Sequence, residues 1–109
     1  MEFSDEKLLK IWEKATPVTG SNPKEWRKDY AGAWINFNQR GENGGKYGWE
    51  VDHRKPLSLN GGSELDNLDP LHWENNRTKG DDYPQWTTSI TSKENENVKK
   101  TQSWPVSQK

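Results

Sequence analysis

Residues 51–81 read VDHRKPLSLNGGSELDNLDPLHWENNRTKGD, and the architecture of the chain can be inferred outward from them. With the two residues before it, the stretch begins as WEVDH, which is typical of a short strand that Pro56 stops. A Gly-Gly step then turns the chain toward a second short strand, whose apolar anchors are Leu65, Leu68 and Leu71. The pattern predicts two short strands joined by a turn.

Residues 72–79 continue with a pattern typical of a short helix. Lys79 stands in its last turn, and Gly80 fits the left-handed position that follows a helix end. Strand, turn, strand and short helix make a ββα unit. We expect this unit to be the centre of an α+β fold.

Polar residues gather where this unit closes. Successive strand residues point to opposite faces, so Asp52 and His53 can share one site only if the strand ends or twists there, as Pro56 indicates. Asn76, on the helix, could then face them across the motif. Carboxylate oxygen, imidazole nitrogen and amide oxygen suit a hard divalent cation and its water.

The flanking segments predict further elements on each side. Residues 4–14 are typical of a helix with Ser4 as its N-cap. YPQWTTSITS, followed by KENEN and VKKTQSW, predicts a C-terminal β-hairpin. One face of the first hairpin strand carries Trp86, Thr88 and Ile90. Residues 23–37, PKEWRKDYAGAWINF, are compatible with either a short helix or a strand.

Composition limits the function classes. Hydrophobic residues make up 28% of the chain, so we expect one small core in which seven tryptophans compensate. The formal net charge of −1 does not support tight static binding to nucleic acid. The absence of cysteine excludes disulfides, a thiolate zinc site and a cysteine nucleophile. We expect no signal peptide, since the first residues lack its pattern, and no membrane span, since no apolar run approaches ~20 residues.

The stretch 51–81 resembles the HNH (His-Me finger) nuclease motif. The family pattern runs Asp-His, Pro, Gly-Gly, Asn-Leu, Leu and Asn-x-x-Lys-Gly-Asp, and this chain has these elements in the same order. They are Asp52-His53, Pro56, Gly61-Gly62, Asn67-Leu68, Leu71 and residues 76–81. The flanking WRKDYAGAWI and YGWEVDH also resemble small bacterial HNH proteins. The resemblance implies a ββα-metal motif over about residues 47–81, within a single nuclease domain spanning residues 1–109.

The resemblance assigns roles to four residues. Asp52 matches the first metal ligand and His53 the general base. Asn67 matches the residue that holds the base-bearing loop by hydrogen bonding. Asn76 matches the last position, which completes the metal site. One divalent cation is implied, Mg²⁺ or Mn²⁺ by preference for oxygen ligands, with Zn²⁺ or Ni²⁺ as alternatives.

Many relatives carry Cys-x-x-Cys pairs that form a structural zinc knuckle. His72 and Asn75 occupy the positions of the later pair, so the resemblance implies a variant without the knuckle, stabilised by its tryptophans. We expect His72 to have a packing or helix-start role. Asp29 and Asp81 are more typical of turn or cap residues than of a site.

Charged and aromatic residues near the motif have two interpretations each. The candidate phosphate contacts are Arg54, Arg77 and Lys79. For each of them, a solvated surface charge is an equal alternative. Three tryptophans near the motif are expected in the core rather than as base-stacking platforms: Trp49, Trp73 and Trp86.

Phosphodiester hydrolysis needs an activated water and stabilisation of charge on the leaving oxygen. A neutral imidazole with a pKa near ~6.5 can take the proton of water near neutral pH, which is the role expected of His53. A cation on Asp52 and Asn76 would act as a Lewis acid at the scissile phosphate. The resemblance implies 5′-phosphate and 3′-hydroxyl products, and double-stranded DNA as the default substrate.

Two other function classes stay open. One is a nucleic-acid-binding module that keeps the ββα scaffold without cleavage, which the near-neutral charge disfavours. The other is a protein-interaction domain in which the tryptophans form the binding surface. The same motif occurs in phage, restriction, homing and toxin nucleases. We therefore expect a cytoplasmic protein or, for a toxin, delivery into a target cell and an immunity protein as partner.

Overall fold

Residues 3–105 are described by the computed structural model, in which two helices and several small sheets form an α+β structure. The helices are α1 (Asp5–Trp12) and α2 (Trp73–Lys79). The strands are β1 (Thr16–Pro17), β2 (Trp26–Lys28), β3 (Trp34–Asn36), β4 (Trp49–His53), β5 (Leu68–His72), β6 (Gln85–Lys93) and β7 (Glu96–Pro105). Each sheet is antiparallel, with neighbours β1-β2-β3, β4-β5 and β6-β7.

The first helix begins where its sequence predicts. Ser4 caps it, since the Ser4 hydroxyl accepts a hydrogen bond from the backbone N–H of Lys7 at 3.1 Å. Leu8, Ile11 and Trp12 are buried, so α1 covers the core with one apolar face. The helix ends at Trp12, two residues before the predicted end.

The segment with two interpretations, residues 23–37, contains the strands β2 and β3. Between them the Asp29 carboxylate accepts hydrogen bonds from the backbone N–H groups of Ala31 and Ala33, at 3.0 and 2.9 Å. These bonds close a tight turn, which favours a pair of strands over a helix.

Strands β4 and β5 pair as the two halves of the predicted unit. Trp49 lies opposite His72 and His53 opposite Leu68, and α2 follows β5 directly. Leu65 is not an anchor of β5, because it belongs to the 3₁₀ turn Leu65–Asn67 and is 38% exposed. Gly80 has a φ of 55° but a ψ of −136°, so it lies outside the left-handed helical region and instead sends the chain away from α2.

The predicted C-terminal hairpin is confirmed as β6 and β7. Trp86, Thr88 and Ile90 alternate along β6 as its buried face. A two-residue turn joins the strands, with Glu94 at a φ of 55°. The hairpin packs on α2, because the Asn75 side chain accepts hydrogen bonds from the backbone N–H groups of Ser89 and Ile90.

A small aromatic core holds α1 against the sheets. Trp12 and Trp49 have ring centroids 5.3 Å apart, and Ala15 and Ile35 are buried with them. Phe37 meets Trp12 edge-on, also at 5.3 Å. Over residues 3–105 the helices are too short and polar to cross a membrane.

Candidate functional site

A cavity of about 520 Å³ opens between the end of β4, the segment that follows it and α2. Its polar lining includes Asp52, His53, Asn76, Arg77 and Asp81. Because β4 ends at His53, neighbouring strand residues that would otherwise point to opposite faces both line the cavity. The structure thus brings together three of the four residues that the sequence singles out. The fourth, Asn67, lies outside the cavity.

Asp52 is 6% exposed, and its Oδ2 atom has no hydrogen-bond partner among residues 3–105. The ammonium nitrogen of Lys79 lies 3.4 Å from that oxygen. Burial raises the pKa of Asp52 from 3.8 to about 7, and the positive charge of Lys79 only partly opposes this rise. A cation in the cavity would compensate the desolvated carboxylate.

Two of the three candidate phosphate contacts point into the protein. Lys79 is 0% exposed, donates to the backbone carbonyl of His53 at 3.3 Å and lies over the Trp86 ring. Arg54 is buried and makes a two-pronged ion pair with Asp69, at 3.0 and 2.7 Å. Both cations are paired with carboxylates from the same antiparallel strand pair. Arg77 is the candidate that is exposed and lines the cavity.

His53 lines the cavity and is half-buried. Its Nε2 atom lies 3.0 Å from the Ser63 hydroxyl. Burial lowers the pKa of His53, and the ammonium groups of Lys79 and Lys7 lower it further. The lowered pKa favours the neutral imidazole, which is the form that can accept a proton.

Asn67 ties together the segments on either side of the Gly61-Gly62 step. Its amide oxygen accepts from the backbone N–H of Lys55 at 2.9 Å, and its Nδ2 donates to the carbonyls of Lys55 and Gly62, at 3.1 and 2.7 Å. A Cβ atom on Gly61 would collide with the Lys55 carbonyl, so this close approach requires glycine. Asn67 thereby holds the chain that directly follows His53.

Asn76 lines the cavity, and its amide nitrogen is hydrogen-bonded to Glu50, which lies outside the cavity lining. The Nδ2 atom donates to Glu50 Oε1 at 2.8 Å. In the amide orientation that satisfies both neighbours, Asn43 donates to Glu50 Oε2 at 2.9 Å and accepts from Arg77 at 3.0 Å. Sequence reasoning missed Glu50, although strand alternation could have found it, because Glu50 and Asp52 share one face of β4.

His72 and Asn75, which stand at the positions of the later pair of the zinc knuckle, form a hydrogen-bonded group with Asp29, called here the Asp29 cluster. Asp29 is 2% exposed and accepts from the backbone N–H of His72 at 2.9 Å and from the Asn75 amide at 3.0 Å. His72 caps α2, since its Nδ1 accepts from the backbone N–H of Glu74 at 3.1 Å, which confirms the helix-start prediction. The cluster joins the start of α2 to the turn between β2 and β3.

The three tryptophans near the motif are packed as predicted, with one partial exception. Trp49 and Trp86 are buried, at 0% and 5% exposure. Trp73 is half-buried, donates to the Gly45 carbonyl at 2.6 Å and supports the Arg77 guanidinium, which lies 5.5 Å from its ring centroid.

The donor atoms around the cavity include oxygens of the kind that a hard divalent cation takes. Within the described part of the chain, no group of three His, Cys, Asp or Glu side chains could hold a metal ion. Asp52 and Asn76 instead offer oxygen atoms at one cavity, and the Asp52 carboxylate has a buried oxygen without a hydrogen bond. Mg²⁺ commonly takes one or two protein oxygens and keeps several waters.

Part of the chain matches a known protein family. The model of the HNH endonuclease family matches residues 36–82, a range that contains β4, β5 and α2. No curated protein and no solved structure matches the chain. The matched range also holds the four residues to which the sequence resemblance assigns roles, so the resemblance of residues 36–82 to the HNH endonuclease family is confirmed.

Proposed function

We propose that this chain is a divalent-metal-dependent endonuclease that hydrolyses phosphodiester bonds in DNA. The observation that carries the proposal is the single cavity lined by Asp52, His53, Asn76 and Arg77. A carboxylate, a neutral imidazole, an amide and a guanidinium around one space are the groups that metal-assisted phosphodiester cleavage needs.

His53 acts as the general base in this proposal. In the tautomer whose Nε2–H donates to Ser63, the Nδ1 atom keeps the lone pair that accepts a proton from water. The hydroxide oxygen then attacks phosphorus, the bond from phosphorus to the 3′ oxygen breaks, and the departing 3′ oxygen takes up a proton from solvent water. The products are a 5′-phosphate and a 3′-hydroxyl group.

Asp52 and Asn76 would hold the cation, with Mg²⁺ or Mn²⁺ preferred for oxygen ligands. When bound, that cation would supply Lewis-acid stabilisation of the charge on the scissile phosphate and the leaving oxygen. Asp52 has to lose its proton to bind the cation, so its raised pKa makes cation binding stronger as the pH rises toward about 7.

Arg77 is the proposed phosphate contact. It is exposed, lines the cavity and is supported by Trp73 on one side and Asn43 on the other. Phosphate contacts carry no base information, so we propose a nuclease of low sequence specificity with double-stranded DNA as substrate.

The protein-interaction alternative is disfavoured by where the tryptophans lie. Four of the seven tryptophans, Trp12, Trp34, Trp49 and Trp86, are at most 7% exposed, and the other three are half-buried, so most of the tryptophan surface lies in the interior. A binding module would need a surface that faces DNA. It would not need a desolvated carboxylate beside a neutral histidine.

A plasmid-nicking assay separates these functions. The purified protein should relax supercoiled DNA with Mg²⁺ or Mn²⁺ and stop in EDTA. Asp52→Asn should lose this activity, whereas Asp66→Asn, on an exposed turn outside the cavity, should keep it. Undiminished nicking in EDTA would remove the metal from the mechanism. DNA binding without nicking under any metal would support the binding module instead.

A further inference from the structure

We propose that Glu50 is a positioning residue that turns the oxygen of the Asn76 amide toward the cavity. This inference rests on the proposed function, because the oxygen so directed would be the cation ligand. Glu50 is not itself part of the cavity lining. It acts through its hydrogen bonds.

The orientation of the Asn76 amide follows from its hydrogen bond. The two ends of an amide differ, since Nδ2 only donates and Oδ1 only accepts. Glu50 Oε1 can only accept when ionised, and it takes the Nδ2 atom of Asn76 at 2.8 Å. Because its nitrogen is bound by Glu50, which lies outside the cavity lining, Asn76 presents its oxygen to the cavity. Over residues 3–105 that oxygen has no hydrogen bond of its own.

The second oxygen of Glu50 supports the phosphate contact. Asn43 donates to Glu50 Oε2 at 2.9 Å and accepts from the Arg77 guanidinium at 3.0 Å. One carboxylate on β4 therefore orients two neighbouring residues of α2, Asn76 directly and Arg77 through Asn43.

Only a group with two acceptors at position 50 satisfies both neighbours. In Glu50→Gln, one end of the introduced side chain becomes a donor. Either this donor faces the Asn43 nitrogen, which is also a donor, or Asn76 has to turn its oxygen toward position 50 and away from the cavity. The reversed pair, Glu50→Gln with Asn76→Asp, satisfies every group again. The introduced glutamine donates to the introduced aspartate and still accepts from Asn43, and a carboxylate oxygen faces the cavity.

The orientation can be observed without cleavage. In ¹⁵N-labelled protein in EDTA, the side-chain NH₂ signal of Asn76 is assigned by its loss in Asn76→Ala. We expect Glu50→Ala and Glu50→Gln to shift this signal toward that of solvent-exposed amides and to speed its exchange with water. Glu42→Gln, which removes a nearby exposed carboxylate, should leave the signal in place. An unmoved signal in both Glu50 variants would overturn the proposal.

Mn²⁺ binding measured by calorimetry tests the consequence. We expect Glu50→Gln to raise the Kd for Mn²⁺ by about 10–100-fold, the usual effect of removing a partner of a ligand, and Glu42→Gln to leave it unchanged. Asn43→Ala should keep Mn²⁺ affinity but weaken DNA binding, because it cuts only the link to Arg77. The pair Glu50→Gln with Asn76→Asp should recover most of the lost affinity.

Two outcomes would refute the role of Glu50. One is an unchanged Kd in Glu50→Gln. The other is a double variant that binds Mn²⁺ no better than Glu50→Gln. Wild-type protein that binds no Mn²⁺ would refute the proposed function instead, and the Asn76 signal would still decide whether Glu50 orients that amide.

Discussion

Replacing Asp52 with asparagine should change how the stability of the metal-free protein depends on pH. Burial raises the pKa of Asp52 in the folded protein, while in the unfolded chain the carboxyl titrates near its ordinary value of 3.8. The folded protein therefore binds more protons than the unfolded chain between these values. Its stability falls as the pH rises through that range.

The magnitude follows from the size of the shift. A rise from 3.8 to about 7 is about 3 pKa units, and each unit corresponds to about 1.4 kcal/mol. The contribution of Asp52 is fully present below pH 3.8 and is lost by about pH 7. The side chain in Asp52→Asn does not titrate, so the variant lacks this contribution to stability. The free energy of unfolding of the wild type, relative to the variant, should therefore fall by about 4 kcal/mol from acid to neutral pH.

Urea unfolding in EDTA, followed by tryptophan fluorescence over this pH range, measures the difference. Other shifted groups, including Asp29 and His53, are present in both proteins and cancel. Adding Mn²⁺ at neutral pH should restore stability to the wild type and not to the variant, because only the native wild type binds the cation. Parallel pH profiles of the two proteins would show that the Asp52 carboxylate is not desolvated, and the reasoning about the site would fail.

Three further variants test the site and the core. His53→Ala should lower turnover by about 10²–10⁴ in the nicking assay while calorimetry still detects Mn²⁺ binding; equal loss of metal would make His53 a ligand. Asn67→Ala, which removes three hydrogen bonds to Lys55 and Gly62, should lower turnover more than Mn²⁺ affinity, and wild-type turnover would make Asn67 a turn residue only. Trp49→Ala should destabilise the protein by about 3–5 kcal/mol in urea unfolding, since Trp49 is 0% exposed, and a loss below ~1 kcal/mol would contradict its place in the core.

Local signals account for the elements that the sequence predicted well. Pro56 and the Gly-Gly step mark the end of β4 and the following turn, and Ser4 marks the start of α1. Residues 23–37 had no such signal. The turn at Asp29 depends on a carboxylate that also binds His72, 43 positions away in the sequence. Such a contact cannot be read from a local pattern.

The sequence predicted which residues form the candidate site, but not how the charged residues around it are paired. Asp52, His53 and Asn76 could be found because a strand end and a short helix bring them to one place. Sequence alone shows that Arg54 and Lys79 are cationic, but not that each is buried against a carboxylate. Pairing of this kind depends on the register of two strands and on the rotation of α2, which the sequence pattern leaves open.

The Asp29 cluster has a consequence for the conditions under which this protein can fold. A zinc knuckle depends on thiolates, which oxidants consume and which bind metal only in competition with other thiols. Here the Asp29 carboxylate joins the backbone N–H of His72 and the side-chain amide of Asn75 through hydrogen bonds at 2.9 and 3.0 Å. Thiol oxidation and zinc starvation therefore leave this joint intact, and α2 keeps its place in reducing and oxidising surroundings alike.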